Sequence, residues 1–275
     1  MIIAFLGKGG SGKSTISSGF VMHQHQTGKK VLAIDVDHNM DMAYNISPTD
    51  NLVYFGDTVG TYLRKLGVST NSWRDVFALD PLPEFFFKEE DPFLELAGNK
   101  IAENLYLLVA GPHTDTVLSG KMCSHGLATP LKIFLPLLNT NEQEMVVLDE
   151  KAGVDGAGTG IPTGVHCVAV VVEPTVASTK AAVQIIEVLK HFEVEYFLVG
   201  NKVRQEEDIF YISERTGMIC AVYFPFSSQV LDSIQMSHHY TEQFQALFDT
   251  VSKLIEEKGD FRKEKTLKKL SSFSN

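Results

Sequence analysis

Cysteine is scarce in this chain. Cys123, Cys167 and Cys220 are the only three among 275 residues, widely spaced and without a CxxC pair. That excludes a disulfide framework and matches the usage of a reducing compartment. Long apolar runs are missing as well: no stretch approaches the ~18 residues of a membrane-spanning helix. The start, MIIAFLGKGG, places no basic segment ahead of its apolar run, unlike a secretory signal. Together these features read as a cytoplasmic protein with no membrane partner. Positive charge is in deficit too, with 24 Lys and Arg against 34 Asp and Glu and a net charge of -10. Such a balance disfavours general attraction to nucleic-acid phosphates, so no nucleic-acid partner is expected. No internal repeat or linker interrupts the chain, and one domain over 1–275 is the economical reading.

What is present is an ordinary globular composition, 44% apolar and 21% charged, arranged in short apolar runs that alternate with helical patterns. Strand-like runs fall at Ile2–Leu6, Lys30–Asp37, Asn104–Gly111, Glu144–Glu150, Val165–Pro174, Glu195–Val203 and Met218–Phe226. This alternation predicts an α/β fold, a single three-layer domain with a mostly parallel sheet and helices on both faces. The span 42–100 is less regular and reads as an insertion-like segment, with a helix in GDTVGTYLRKLG. The basic stretch 258–275 is faintly amphipathic, with Leu267, Leu270 and Phe273 on a broad face and Phe261 on the other side. It reads as a frayed terminal helix, too poor in apolar residues for stable interfacial anchoring.

The first apolar run leads into Gly7-Lys8-Gly9-Gly10-Ser11-Gly12-Lys13-Ser14-Thr15. Gly7-x4-Gly12-Lys13-Ser14 matches a phosphate-binding loop, and it sits between a strand and a helix as the chemistry requires. Glycines let backbone N–H groups turn inward around phosphates, and the helix N-terminus adds its dipole. Lys13 is expected on the β- and γ-phosphates, Ser14 on Mg²⁺ and Thr15 on the α-phosphate. Hydrolysis of a nucleotide also needs carboxylates near the metal and the attacking water. Asp149 ends the run MVVL, and Asp35, Asp37 and Asp41 cluster at the end of the second strand. Lys8 is surplus to an ordinary loop of this kind.

GKGGSGKST resembles the deviant Walker A motif of the MinD/ParA/nitrogenase-iron-protein class of P-loop NTPases, of SIMIBI type, whose members are ATP-dependent dimeric switches. The resemblance implies ATP and Mg²⁺ as ligands and a homodimer in the ATP state, with Lys8 reaching the partner subunit's phosphates; otherwise Lys8 is an exposed loop lysine. DVDHNMD (Asp35–Asp41) resembles switch I of the class, which implies that Asp37 orients the attacking water and Asp41 acts on Mg²⁺ through its outer shell. His38 stands where the class usually has proline. DEKAGVDGAGTG (Asp149–Gly160) resembles switch II. Asn201-Lys202 resembles the base-contacting motif, Asn201 reading the adenine amino group, with Pro225, Phe226 and the residues after them flanking the base.

Within the class, EKAGVDGAG, VVVEPTVASTKAA (Val170–Ala182) and SGKMCSHG (Ser119–Gly126) resemble the CooC-type nickel-insertion ATPases of carbon monoxide dehydrogenase. That resemblance implies a client metalloenzyme. Its Cys-x-Cys motif is incomplete here: Lys121 takes the place of the first cysteine and Cys123 keeps the second. Resemblance to the nitrogenase iron protein matches Cys123 to one cluster cysteine and implies the second near Gly156, where this chain has none, so an Fe–S cluster shared between subunits is not expected. Cys123 and His125 from two subunits would make a Cys2His2 set suited to Zn or Ni at a dimer interface; the plain reading makes them a small buried residue and a polar helix-start residue. Two alternatives stay open, a MinD/ParA-type positioning ATPase on membrane or DNA and a small-molecule P-loop kinase or ligase. His23, His25, His238 and His239 read as surface or helix residues, and Cys167 and Cys220 as core.

Overall fold

β1 (Ile2–Gly7) lies at the centre of the sheet, parallel to β7 (Glu144–Asp149) on one side and β8 (Cys167–Val172) on the other. This is a computed structural model, and it describes residues 1–47, 49, 51–68, 72–113, 124–228 and 233–271. Outward from β8 come β9 (Glu195–Val203) and β10 (Val222–Pro225); outward from β7 come β2 (Lys30–Asp35), β5 (Leu105–Val109) and β4 (Asn99–Ala102). All neighbours are parallel except β4, which runs against β5 at the edge. The two-residue strands β3 (Phe85–Phe86) and β6 (Leu138–Asn139) pair separately. The expected fold class is therefore the one observed.

Every residue of β1 is buried because its side chains serve two cores alternately. Ile3 and Phe5 face α1 (Lys13–Gln26) and α10 (Thr241–Lys258), where Phe20 and Phe244 join them. Ile2, Ala4 and Leu6 face the other layer, which includes α5 (Thr129–Leu137) and α7 (Val176–His191). A strand covered on both faces has no polar alternation, which is why it reads as a continuous apolar run. Among the described residues no helix is long and apolar enough to cross a membrane.

The span after β2 holds α2 (Asp41–Ile46), α3 (Val59–Lys65) and α4 (Pro92–Ala97) before β4. It supplies aromatics to the second core: Tyr62 and Phe93 lie 4.9 Å apart, and Phe93 and Phe134 of α5 lie 5.0 Å apart between ring centres. β10 is shorter than its apolar run. Gly217 (φ 69°) ends α8 (Glu206–Thr216), and the Cys220 amide donates to Tyr223 Oη at 3.2 Å, so pairing with β9 begins only where the Ala221 amide donates to the Leu198 carbonyl at 2.9 Å.

The tail differs from a frayed end. It forms α11 (Arg262–Ser271), anchored by a buried arginine. Arg262 Nη1 donates to the Leu135 carbonyl at 2.8 Å and Nη2 to that of Leu138 at 3.0 Å. The Leu135 carbonyl also accepts from the Leu138 amide, so Arg262 adds a second donor there, at the C-terminal end of α5 where a cation is electrostatically favoured. Asp260 balances the charge, accepting from Arg262 Nε at 2.8 Å and Nη2 at 2.7 Å. Hydrophobic periodicity could not reveal a polar anchor. Arg262→Ala should lower stability by about 1–3 kcal/mol, because it removes charge-assisted bonds to two backbone carbonyls and to the half-exposed Asp260; urea unfolding measures it, and Arg262→Lys should recover only part of the loss.

Candidate nucleotide site at the ends of the central strands

The loop after β1 turns through Gly10 (φ 84°) and Gly12 (φ 87°), closed by the Ser11 amide donating to the Lys8 carbonyl at 3.0 Å. Gly12 is required twice over: its φ is left-handed, and a Cβ there would lie 2.2 Å from Asn201 Nδ2. No side chain caps α1, so the first N–H groups of that helix are left for an anion.

Lys13 is buried, and its Nζ donates to Asp149 Oδ1 at 2.7 Å and to Ser14 Oγ at 3.2 Å. Burial pushes the Asp149 carboxyl up and Lys13 opposes that shift. Asp149 Oδ2 is buried without a hydrogen-bond partner, and so is Ser11 Oγ. The carboxylate of Asp149 and the hydroxyl of Ser14, both beside Lys13 Nζ, are oxygens of the kind a hard divalent cation takes, so these residues fit Mg²⁺.

Asp35 lies opposite Asp149 in the β2–β7 register and is fully buried. Its Oδ1 accepts from the Asp37 amide at 3.1 Å and its Oδ2 from the Ala43 amide at 2.9 Å. Burial and the neighbouring Asp149 hold this carboxyl well above the usual range. Asp35 thus fixes the loop that presents the half-buried Asp37 and the exposed Asp41. Asp37 Oδ1 accepts from the Asn39 amide at 3.1 Å.

His38 supplies the restraint that a proline would otherwise give. Its Nδ1 meets the Gly111 carbonyl at 2.8 Å, so it carries the proton; Nε2 then accepts from Lys151 Nζ at 3.0 Å. The ring also lies 4.3 Å from that of His113. Burial, Lys151 and His113 lower the His38 pKa, against the Gly111 carbonyl, which raises it. The loop after β2 is thereby tied directly to the one after β7.

Thr15, Asn201, Lys202, Pro225 and Phe226 line one cavity of about 130 Å³ beside Gly12. Met236 of α9 (Ser233–His239) and Tyr240 complete it. Asn201 Nδ2 donates to the Ser11 carbonyl at 2.7 Å, and Lys202 Nζ donates to the Gly10 carbonyl at 2.6 Å while pairing with Glu173 at 3.0 Å. Both side chains therefore brace the phosphate loop as well as border the cavity. Arg204 stacks on Phe226, 4.0 Å from its ring centre. Sequence reasoning missed Asp35 as an anchor, Glu173 as partner of Lys202, and Met236 and Tyr240. A carboxylate, Glu173, at the end of the apolar run within Val170–Ala182 was the one available signal.

Lys8 Nζ donates to the Gly9 carbonyl at 2.9 Å, a contact within its own loop. Cys123 lies outside the described residues, as do the side chain of His125 and Lys121. Among the described residues no group of three or more His, Cys, Asp or Glu is placed to hold a metal ion.

Residues 2–246 match the CobQ/CobB/MinD/ParA nucleotide binding domain. The chain belongs to this family. An uncharacterised ATP-binding protein of Methanocaldococcus jannaschii is 25% identical over 266 residues, covering 92% of this chain and 98% of its own. The carbon monoxide dehydrogenase accessory protein CooC of Rhodospirillum rubrum is 28% identical over 250 residues, covering 86% and 89%. Among solved structures, MinD in the MinC:MinD cell division complex of Aquifex aeolicus superposes with a TM-score of 0.60 at 19% identity, over 93% of this chain and 95% of that one. MinD of Pyrococcus horikoshii, solved with Mg-ADP, gives 0.58 at 16% identity over 92% and 96%. These neighbours establish the MinD/ParA fold.

One carboxyl in this MinD/ParA-family site has no hydrogen-bond partner among the described residues, although Lys13 and Lys151 act on it electrostatically. Glu150 is fully buried with neither carboxylate oxygen hydrogen-bonded, and burial raises its pKa from 4.5 to about 8. The folded chain then keeps a proton that the unfolded chain releases, so stability falls as pH rises from about 4.5 through about 8. Glu150→Gln should match the wild type near pH 4.5 and exceed it by a few kcal/mol, on the order of 1.4 per pH unit, at pH 8. Thermal melts of both proteins across that range check it.

Proposed function

We propose that this chain is an ATP-hydrolysing dimeric switch that serves the maturation of a client metalloenzyme. The observation that carries the reading is Lys8: it stands on the phosphate loop and bonds only to that loop's own Gly9 carbonyl among its described contacts. A lysine placed there can act on a second chain's phosphates once two copies close face to face. Dimerisation and nucleotide state then become linked.

MgATP, when bound, supplies the phosphoanhydride to be cleaved and the divalent charge that steadies it. Lys13 and the uncapped amides of α1 would hold the phosphates, with Gly7, Gly9, Gly10, Ser11 and Gly12 shaping the cradle and Thr15 at its far end. Ser14 and Asp149 would hold the magnesium ion, with Asp41 in its outer shell. Asp37 would orient the attacking water. Asn201, Lys202, Pro225 and Phe226 would hold the base. The 28% identity to CooC of Rhodospirillum rubrum supports the metallocentre role, and a Zn or Ni ion between two copies at Cys123 and His125 belongs to the same reading. Metal analysis of the dimer with and without Cys123→Ser tests that ion. A MinD/ParA-type positioning or partitioning ATPase on membrane or DNA is the second reading; the docking of α11 through Arg262 supports the first over it.

Light scattering after size-exclusion chromatography, with ATP, ADP or no nucleotide, tests the switch. The wild type should double its mass with ATP, whereas Lys8→Ala should stay monomeric and hydrolyse roughly a hundredfold more slowly. Unchanged mass throughout, with full hydrolysis by Lys8→Ala, would overturn the proposal. Asp37→Asn should keep ATP-dependent dimerisation while losing hydrolysis.

A further inference from the structure

Lys151 stands between Asp149 and α6 (Val154–Gly158), on the loop that leaves β7. Its Nζ donates to His38 Nε2 at 3.0 Å, and His38 directly follows Asp37 on the loop that leaves β2. The ring can accept there only as the neutral tautomer with its proton on Nδ1. The Gly111 carbonyl, 2.8 Å from Nδ1, fixes that tautomer from the end of β5, and the His113 ring lies 4.3 Å away. Three loops at the mouth of the nucleotide site therefore converge on one imidazole. Holding phosphate, metal or base asks for none of these contacts.

The loop after β2 needs an outside restraint. Its internal bonds are short-range turns: the Asn39 amide donates to Asp37 Oδ1 at 3.1 Å and the Met40 amide to the Asp37 carbonyl at 3.2 Å. Met40 sits at φ 56°, the left-handed region that a residue with a side chain enters at a cost. Such a conformation persists only where the surroundings hold it. The His38 amide donates no hydrogen bond among the described residues, so the imidazole is what this residue offers as a tether. Asp35 fixes the start of the loop at the Asp37 amide and its far end at Ala43. His38 fixes the turn between them, beside the Asp37 carboxylate.

We infer that the Lys151–His38 contact makes the placement of Asp37 conditional on the loop after β7, so that hydrolysis slows when that loop moves. The inference rests on the ATPase reading and adds a regulation to it. Lys151 and His38 are positioning residues: they act through Asp37 and touch no reacting atom. A proline at position 38 would stiffen the loop through its own φ and answer to nothing outside it. An imidazole held by a lysine of another loop answers to that loop, because the bond is gone once the two nitrogens are more than about 3.5 Å apart. The loop that brings Asp149 to the metal then also decides whether Asp37 stands ready for the water.

A double-mutant cycle on the full chain tests it, with ATP hydrolysis measured for the wild type, Lys151→Ala, His38→Pro and the two changes combined. Lys151 has further interactions of its own, and the cycle subtracts their share. Lys151→Ala should lower kcat roughly tenfold in the His38 protein, with KM and Mg-ADP affinity within about twofold. In the His38→Pro protein the same change should cost less than about twofold. His38→Ala should lose as much as Lys151→Ala, and His38→Pro should exceed it several-fold. Nitrogen-15 NMR of the imidazole reads the contact without catalysis: His38 should be neutral near pH 8 with its proton on Nδ1, and Lys151→Ala should move its Nε2 resonance. Equal losses from Lys151→Ala in both proteins, or a neutral His38 carrying its proton on Nε2, would overturn the inference while leaving the ATPase reading intact. A wild type that binds Mg-ATP and does not hydrolyse it would overturn both, and shows before any variant is made.

Discussion

The contact on which the site depends is the ion pair between Lys13 and Asp149, closed at 2.7 Å and almost wholly removed from water. Each partner compensates a charge that would be expensive alone at that depth. The pair can form only where β1 and β7 are adjacent, since Asp149 ends one strand and the turn to Lys13 begins at the end of the other. Lys13 in turn sets where α1 begins. The cradle of N–H groups, the serine hydroxyl and the free oxygen of Asp149 all take their positions from that junction.

The same crowding of carboxylates explains the two loops around it. Asp35 sits beside Asp149 in the sheet and accepts two loop amides. That arrangement trades a strained electrostatic position for a fixed loop after β2. The ring of His38 then bridges that loop to Lys151 and to the Gly111 carbonyl. A proline would stiffen the loop from within, through its own φ. The histidine does it from outside, through partners on two other strands' loops, so the restraint exists only while those loops keep their present places.

Much of this was legible in the sequence. The continuous apolar runs announced buried parallel strands, and the glycine-lysine-serine spacing placed the phosphate loop between a strand and a helix. Thr15, Asn201, Lys202, Pro225 and Phe226, assigned on motif resemblance, do line one cavity. The misses share a cause. Arg262 holds the tail by bonds to carbonyls more than a hundred residues away, and Met236 of α9 and Tyr240 just after it reach that cavity from a stretch with no motif of its own. Sequence periodicity reports which face of an element is apolar; it is silent on a polar side chain whose partner is a distant backbone group.

By itself the sequence determined the seven parallel strands of the main sheet, though not the edge strand β4 or the short pair β3 and β6, and the local chemistry of the loop, because these follow from hydrophobic period and from glycine's backbone freedom over a few adjacent residues. Tertiary structure alone decided that Asp149 pairs with Lys13 while leaving an oxygen uncommitted, that Asp35 anchors and does not present itself to solvent, and that His38 meets Lys151. Those outcomes depend on strand order and on how deeply each polar group is buried. Both are properties of the assembled sheet and its two cores, and neither belongs to any stretch of chain taken alone.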